Sequence, residues 1–118
     1  MPKTELSATL SALADRNRRA VIDLLKQQPH CAGDIAAALS LTPPALSRHL
    51  RVLRRSGLVD EQGLEEDARV RIYRLRKEPF DQLRVWLGEV ESFWTGELAA
   101  FRDHVESSKI RRRGSAKR

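Results

Sequence analysis

The stretch from Thr42 to Gly57, TPPALSRHLRVLRRSG, constrains this chain more than any other because both of its ends are marked. Thr42 offers a hydroxyl to cap a first helical turn, and Pro43 and Pro44 occupy positions whose N–H groups have no intrahelical partner. Gly57 supplies the left-handed residue on which helices commonly end. Between these signals, at about 100° per residue, Leu46, Leu50 and Leu53 cluster on one side. Pro44, Arg48 and Arg51 lie opposite them, with Ala45 and Val52 on one flank. Ser47 and His49 border the leucine side. So sharp a division requires the leucines to lie on a core and the arginines to face outward.

The preceding segments read as helices too. Leu6, Leu10 and Leu13 recur at helical spacing and end near Asp15, a good N-cap for the next helix. That second helix runs from Arg16 to about Gln28, turns Ala20, Val21, Leu24 and Leu25 inward, and stops at Pro29. A third covers Ala32–Leu39, with Ile35, Ala36 and Leu39 on one face. Ser40-Leu41-Thr42 then makes a tight turn into the prolines. A short helix, a three-residue turn and a capped helix form the helix-turn-helix pattern, in which the first helix braces the second so that one face enters a major groove.

After Gly57 the period changes to two. Leu58–Glu61 reads as a strand, Gln62-Gly63 starts a turn, and Leu64–Ala68 is a mostly polar loop. Arg69–Arg76 is a second strand, in which arginine alternates with valine, isoleucine, tyrosine and leucine. The two make a hairpin behind the helix pair, the wing of a winged helix. The expected fold is mainly α with this small β-hairpin.

Charge follows the same organisation. Of the net +6 of the 118 residues, residues 42–77 carry +4, residues 78–108 carry −5 and residues 109–118 carry +6. A segregated basic stretch beside turns suits a polyanion such as nucleic acid, and it suits solvated surface equally well on charge alone. On the outward helix face arginine has a specific use, since guanidinium pairs with guanine O6 and N7. Pro44, Ala45, Ser47, Arg48, His49 and Arg51 are therefore assigned to reading double-stranded DNA, with His49 equally suited to the core edge. Thr42, Arg54, Arg55, Arg69 and Arg71 are assigned to phosphate or wing contacts. Glu65, Glu66 and Asp67 at the wing tip oppose deep insertion. No acid/base pair, activated nucleophile or phosphate-cradling glycine loop is found, so no enzyme is expected. With no apolar run of membrane-spanning length and no apolar leader, a cytoplasmic protein is expected.

Four ordered blocks carry a resemblance: Leu13–Ile22 (LADRNRRAVI), Gly33–Ala36 (GDIA), Ser47–Leu53 (SRHLRVL) and Gly57–Val59 (GLV). Over about residues 10–76 the chain resembles the winged-helix repressors of the ArsR family. The resemblance implies a bacterial dimeric repressor that binds a palindromic operator and releases it on a signal from an effector. Ala68 stands where many relatives have a wing glycine, and the arginine-rich tail is outside the shared pattern. The family's thiolate sensor needs two cysteines two residues apart, and the matching positions here are Cys31 and Gly33. His104 follows Asp103 without a second histidine. Neither metal nor cofactor is expected.

Pro79 opens a long helix, about Phe80 to Ser107. Leu83, Leu87, Val90, Trp94, Leu98 and Phe101 fall on it at three- and four-residue steps, with Trp86 and Phe93 as a second seam. Such a face exceeds what a body this small can cover, which suggests a homodimer, with Leu6 and Leu10 of the first helix joining the interface. Residues 1–108 then form a DNA-binding and dimerisation domain, and 109–118 a basic disordered tail. The alternative use of the aromatic helix is as a protein-interaction surface on a winged-helix scaffold.

Overall fold

The computed structural model describes the backbone of residues 3–64, 66–67 and 69–116, with side chains described over 5–108 apart from 65 and 68. In chain order the elements are α1 (Lys3–Leu13), α2 (Arg16–Leu25), β1 (His30–Cys31), α3 (Ala32–Leu39), α4 (Pro43–Arg55), β2 (Val59–Gly63), β3 (Arg71–Leu75) and α5 (Lys77–Ala116). The chain divides into two units, residues 1–83 and residues 84–118, and α5 runs from the first into the second.

In the first unit, the junction of α1 and α2 shows how sequence sets a helix boundary. Asp15 caps α2, its Oδ1 accepting from the N–H groups of Asn17 at 2.8 Å and Arg18 at 3.1 Å. The carbonyls ending α1 lack intrahelical partners and are met by guanidinium groups. Arg18 donates from Nε to Ala12 O at 2.7 Å and from Nη2 to Ser11 O at 3.1 Å, and Arg19 donates from Nη1 to Leu13 O at 2.7 Å. Helix α2 ends at Leu25, three residues before the expected Gln28: after Lys26 the ladder tightens, and the Gln27 N–H bonds to Leu24 O at 3.3 Å, three residues back instead of four. Ile22, absent from the expected inward set, is buried with Val21 and Leu25, whereas Ala20 and Leu24 are half-buried.

The core gathers Ala12, Val21, Ile22, Leu25, Ile35, Leu46, Leu50, Leu53, Leu58 and Val59, with Phe80 and Tyr73 packed at its margin. All three leucines of the expected inward face of α4 belong to it. Gly57 takes φ +80 as its position requires, and the Leu58 N–H returns to Leu53 O at 3.0 Å. The turn between α3 and α4 is made by Ser40, a serine in the left-handed region at φ 55.

The expected two-stranded hairpin is a three-stranded antiparallel sheet in the order β1-β3-β2. β1 adds His30 opposite Tyr73 and Cys31 opposite Ile72. Two residues are too few for any periodicity, so only pairing with β3 makes this strand. β2 pairs with β3 from Val59 opposite Leu75 to Gly63 opposite Arg71. Both hairpin strands differ from expectation: β2 starts one residue later and runs to Gly63, and β3 spans 71–75, starting only at Arg71 because the Val70 N–H turns back to Asp67 O at 3.1 Å and is not given to β2. Of the wing tip, Glu65 and Ala68 lie outside the described residues.

Helix α5 begins at Lys77, which puts Pro79 in the first turn, where its missing N–H costs nothing. It also passes through the stretch expected to be disordered and ends at Ala116, with Lys117 and Arg118 outside the described residues. Residues 108–113 hold no proline or glycine, and a run of cations at a helix C-terminus complements the macrodipole. In the second unit the apolar side chains are uncovered: Leu87 is 51% exposed, Phe93 66%, Trp94 64% and Phe101 67%. Trp86, Val90 and Leu98 are exposed as well, as is Val85, which the two seams did not include.

Candidate nucleic-acid interface

The candidate interface is built on α4, which the fold holds along its whole length. Thr42 Oγ1 accepts from the Ala45 N–H at 3.4 Å, so its hydroxyl serves as the expected cap. Leu46, Leu50 and Leu53 are each 4% exposed or less, which fixes the rotation of the helix about its axis. That rotation leaves Pro43, Pro44, Ser47, Arg48, Arg51, Arg54 and Arg55 exposed, and Ala45 partly so.

The structure then sorts the arginines into two groups. Among the described residues, Arg48, Arg51 and Arg55 have no ion-pair partner, and steps of three and four residues place them in one stripe. The others are engaged. Arg54 Nη1 lies 2.8 Å from Glu61 Oε2, and Arg71 Nε lies 3.5 Å from Glu61 Oε1. Arg74 pairs with Asp60 at 3.3 Å, Arg76 with Glu78 at 3.7 Å, and Arg69 with Asp67 at 3.9 Å. Arg69 nonetheless stands 96% exposed on the wing. The basic middle of the sequence is thus a helix face of unpaired cations beside a wing whose charges are largely matched.

His49 departs from its expected place among the base readers. Its side chain is only 17% exposed, and its Nδ1 lies 4.0 Å from Asp15 Oδ1, so the ring faces the cap of α2 and not the arginine stripe. Asp15 itself is held below the ordinary carboxylate range, chiefly by the Arg18 N–H, against desolvation, with help from Asn17 and His49. Arg54 and Arg71, expected at phosphates, both pair with one carboxylate, that of Glu61.

That carboxylate is what sequence reasoning missed. Glu61 on β2 stands opposite Tyr73 on β3, and the two share a sheet face with Arg71. The Tyr73 hydroxyl donates to Glu61 Oε2 at 3.1 Å. Burial first, then this bond and the Glu61 charge, raise the Tyr73 pKa above its usual value, which keeps the phenol a donor. The signal for Glu61 is its place two residues after Val59, on the strand face that meets α4. Its partners depended on a hairpin register that a seven-residue connection leaves open. Between α4 and β2 lies a cleft of about 470 Å³ lined by Arg51, Arg54, Arg55, Val59, Asp60, Glu61 and Arg76.

Among the described residues, no cluster of three His, Cys, Asp or Glu side chains is placed to hold a metal ion, and no helix is long and apolar enough to cross a membrane. Cys31 is a free, half-buried thiol at the start of α3.

Residues 15–61 match the model of the bacterial regulatory proteins of the arsR family. The chain is 32% identical over 96 residues to the HTH-type transcriptional regulator Rv2034 of Mycobacterium tuberculosis, which spans 81% of this chain and 84% of that one. Among solved structures it is similar to the ArsR family transcriptional regulator RHA00566, with a TM-score of 0.71, 30% identity and coverage of 80% of this chain and 94% of that one. A second is the homodimeric winged helix-turn-helix DNA-binding domain Mb0332 of Mycobacterium bovis, with a TM-score of 0.60, 25% identity and coverage of 75% and 80%. The residues matched to the family model include the capped helix, its brace and the first three residues of β2. This chain belongs to the ArsR family, and is a DNA-binding transcriptional regulator of the winged-helix kind, not an enzyme.

Proposed function

We propose that the protein is a homodimeric repressor that inserts α4 of each protomer into successive major grooves of a two-fold symmetric operator in the cytoplasm. The observation that carries this reading is the exposed stripe of Arg48, Arg51 and Arg55, without carboxylate partners among the described residues and backed by three buried leucines. Arg48 and Arg51, near the middle of the helix, take the base edges, with Pro44, Ala45 and Ser47 beside them. Arg55, Thr42 and the exposed Arg69 take phosphates.

The uncovered aromatic seam of α5 supports pairing with a second copy, and a homodimer is what the Mycobacterium bovis relative forms. A two-fold dimer reads two half-sites about one helical turn apart, which is the reason for expecting operator symmetry. Repression needs only occupancy, since a dimer lying on a promoter excludes polymerase by volume.

The test is a gel shift with DNA from upstream of the protein's own gene, at near-physiological salt with competitor, repeated with Arg48→Ala. Loss of a bidentate contact of about 1–3 kcal/mol corresponds to a roughly 5- to 150-fold weaker complex on the selected sequence, with a much smaller loss on random duplex. Equal losses on both sequences would remove Arg48 from the reading set. No shift at all, with the aromatic seam capturing another protein, would favour the interaction-module alternative.

A further inference from the structure

We infer that Glu61 is a positioning residue for DNA binding, a carboxylate clasp that ties α4 to the wing and withholds Arg54 and Arg71 from phosphate, so that sequence-independent affinity stays low beside the reading contacts. The inference rests on the DNA-binding reading above.

The geometry carries it in three steps. First, Glu61 is the meeting point of two elements: its Oε2 lies 2.8 Å from Arg54 of α4, and its Oε1 lies 3.5 Å from Arg71 of β3. One carboxylate thereby holds one guanidinium from each of the two surfaces that face DNA. Second, the carboxylate cannot follow its partners. Its side chain is 18% exposed, its strand is paired on β3, and the Tyr73 hydroxyl fixes Oε2 at 3.1 Å. Third, the two arginines are reachable, at 51% and 54% exposed. A phosphate entering the cleft between α4 and β2 must compete with Glu61 for Arg54, and one reaching the wing must compete with it for Arg71, because a guanidinium bonds carboxylate and phosphate with the same planar fork. Arg51 and Arg55, which line the same cleft, face no such competitor among the described residues.

The consequence is a partition of cations. Each phosphate neutralised by a cation adds about 0.9 to the slope of log affinity against log salt, whatever the sequence. Two arginines kept on Glu61 are left out of that count. The contacts that discriminate sequences, from Arg48 and Arg51, are untouched. Glu61 therefore lowers affinity for every duplex by the same factor and leaves discrimination intact, so the reading contacts supply a larger share of the binding free energy.

The test is fluorescence anisotropy of a labelled random-sequence duplex across a fourfold range of salt, with the full chain. Glu61→Gln keeps the shape and removes the charge. The expected result is a slope steeper by about 0.9 to 1.8, a further loss of roughly 3.5-fold per released arginine across that range, and tighter binding at low salt. In an Arg54→Gln/Arg71→Gln background the same substitution leaves the slope unchanged. A second pair of variants does not depend on altering Glu61. Arg71→Gln leaves the wild-type slope in place, whereas Arg55→Gln flattens it by about 0.9. An unchanged slope for Glu61→Gln would overturn the inference. So would a flatter slope, since Glu61 would then present the arginines to phosphate and not withhold them. Wild-type protein whose affinity for duplex is absent or independent of salt would instead overturn the DNA-binding reading, and the clasp with it.

Discussion

Phe93 gives the most direct test of the proposed pairing of two copies through α5. It is 66% exposed on α5, so its truncation takes nothing from the core of the first unit. A phenylalanine presents about 200 Å² for burial, so about 130 Å² of this side chain is left for a partner, worth about 3 kcal/mol at roughly 25 cal/mol per Å². A two-fold interface counts each residue twice, giving about 6 kcal/mol as an upper bound. Alanine keeps part of that area and burial in the dimer is incomplete, so Phe93→Ala is expected to weaken dimerisation by about 3–4 kcal/mol, or 100- to 1000-fold. Sedimentation equilibrium over a concentration series reads this directly, with circular dichroism to show that helix content is unchanged. Leu64→Ala is the control, an equally apolar and 40% exposed side chain on the wing whose loss leaves the dimer intact. Wild-type protein that sediments as a monomer at micromolar concentration, or a Phe93→Ala variant as dimeric as the wild type, would refute this reasoning.

Two further outcomes test the fold beneath the interface. Leu53→Ala, at a fully buried position of α4, is expected to cost about 2–5 kcal/mol in urea unfolding and to reduce DNA binding by freeing the helix from its seat. Asp15 supplies a pH dependence with a definite sign. Its carboxyl is held below the ordinary range, chiefly by the Arg18 N–H, so its contribution is complete above the unfolded-state pKa and is lost as pH falls through the folded-state value. Asp15→Ala is expected to cost about 1 kcal/mol at pH 7, and Asp15→Asn much less, because the amide oxygen still accepts from the cap N–H groups. In unfolding measured from neutral pH down to about pH 3, Asp15→Asn shows a shallower acid limb than the wild type. Identical acid limbs would show that the cap is not titrating.

Helix α4 was readable residue by residue because everything that defines it is local. The cap, the prolines, the leucine period and the terminal glycine act within a few residues of one another, and the helix starts at Pro43 and ends at Arg55 as those signals require. The seam of α5 was readable for the same reason, and its exposed aromatics were named from spacing alone. β1 was not readable: a two-residue strand has no period and exists only through pairing with β3. The end of α5 was not readable from composition: low apolar content points to disorder, while the backbone continues as helix through 108–113, where no proline or glycine interrupts it.

Composition and periodicity by themselves determined which helix turns arginines outward, which residues back it and which helix carries an uncovered apolar face, since each follows from distances along the chain. Which of those arginines is free was decided only by tertiary structure. Arg54, Arg71 and Glu61 are separated by seven to seventeen residues, and nothing in their spacing brings them together. The hairpin register does, by setting Glu61 opposite Tyr73 while the packing of Leu53 and Val59 sets α4 against the sheet. His49 was turned toward Asp15 by the same packing. An ion pair responds to where two charges are in space, and only the folded core fixes that.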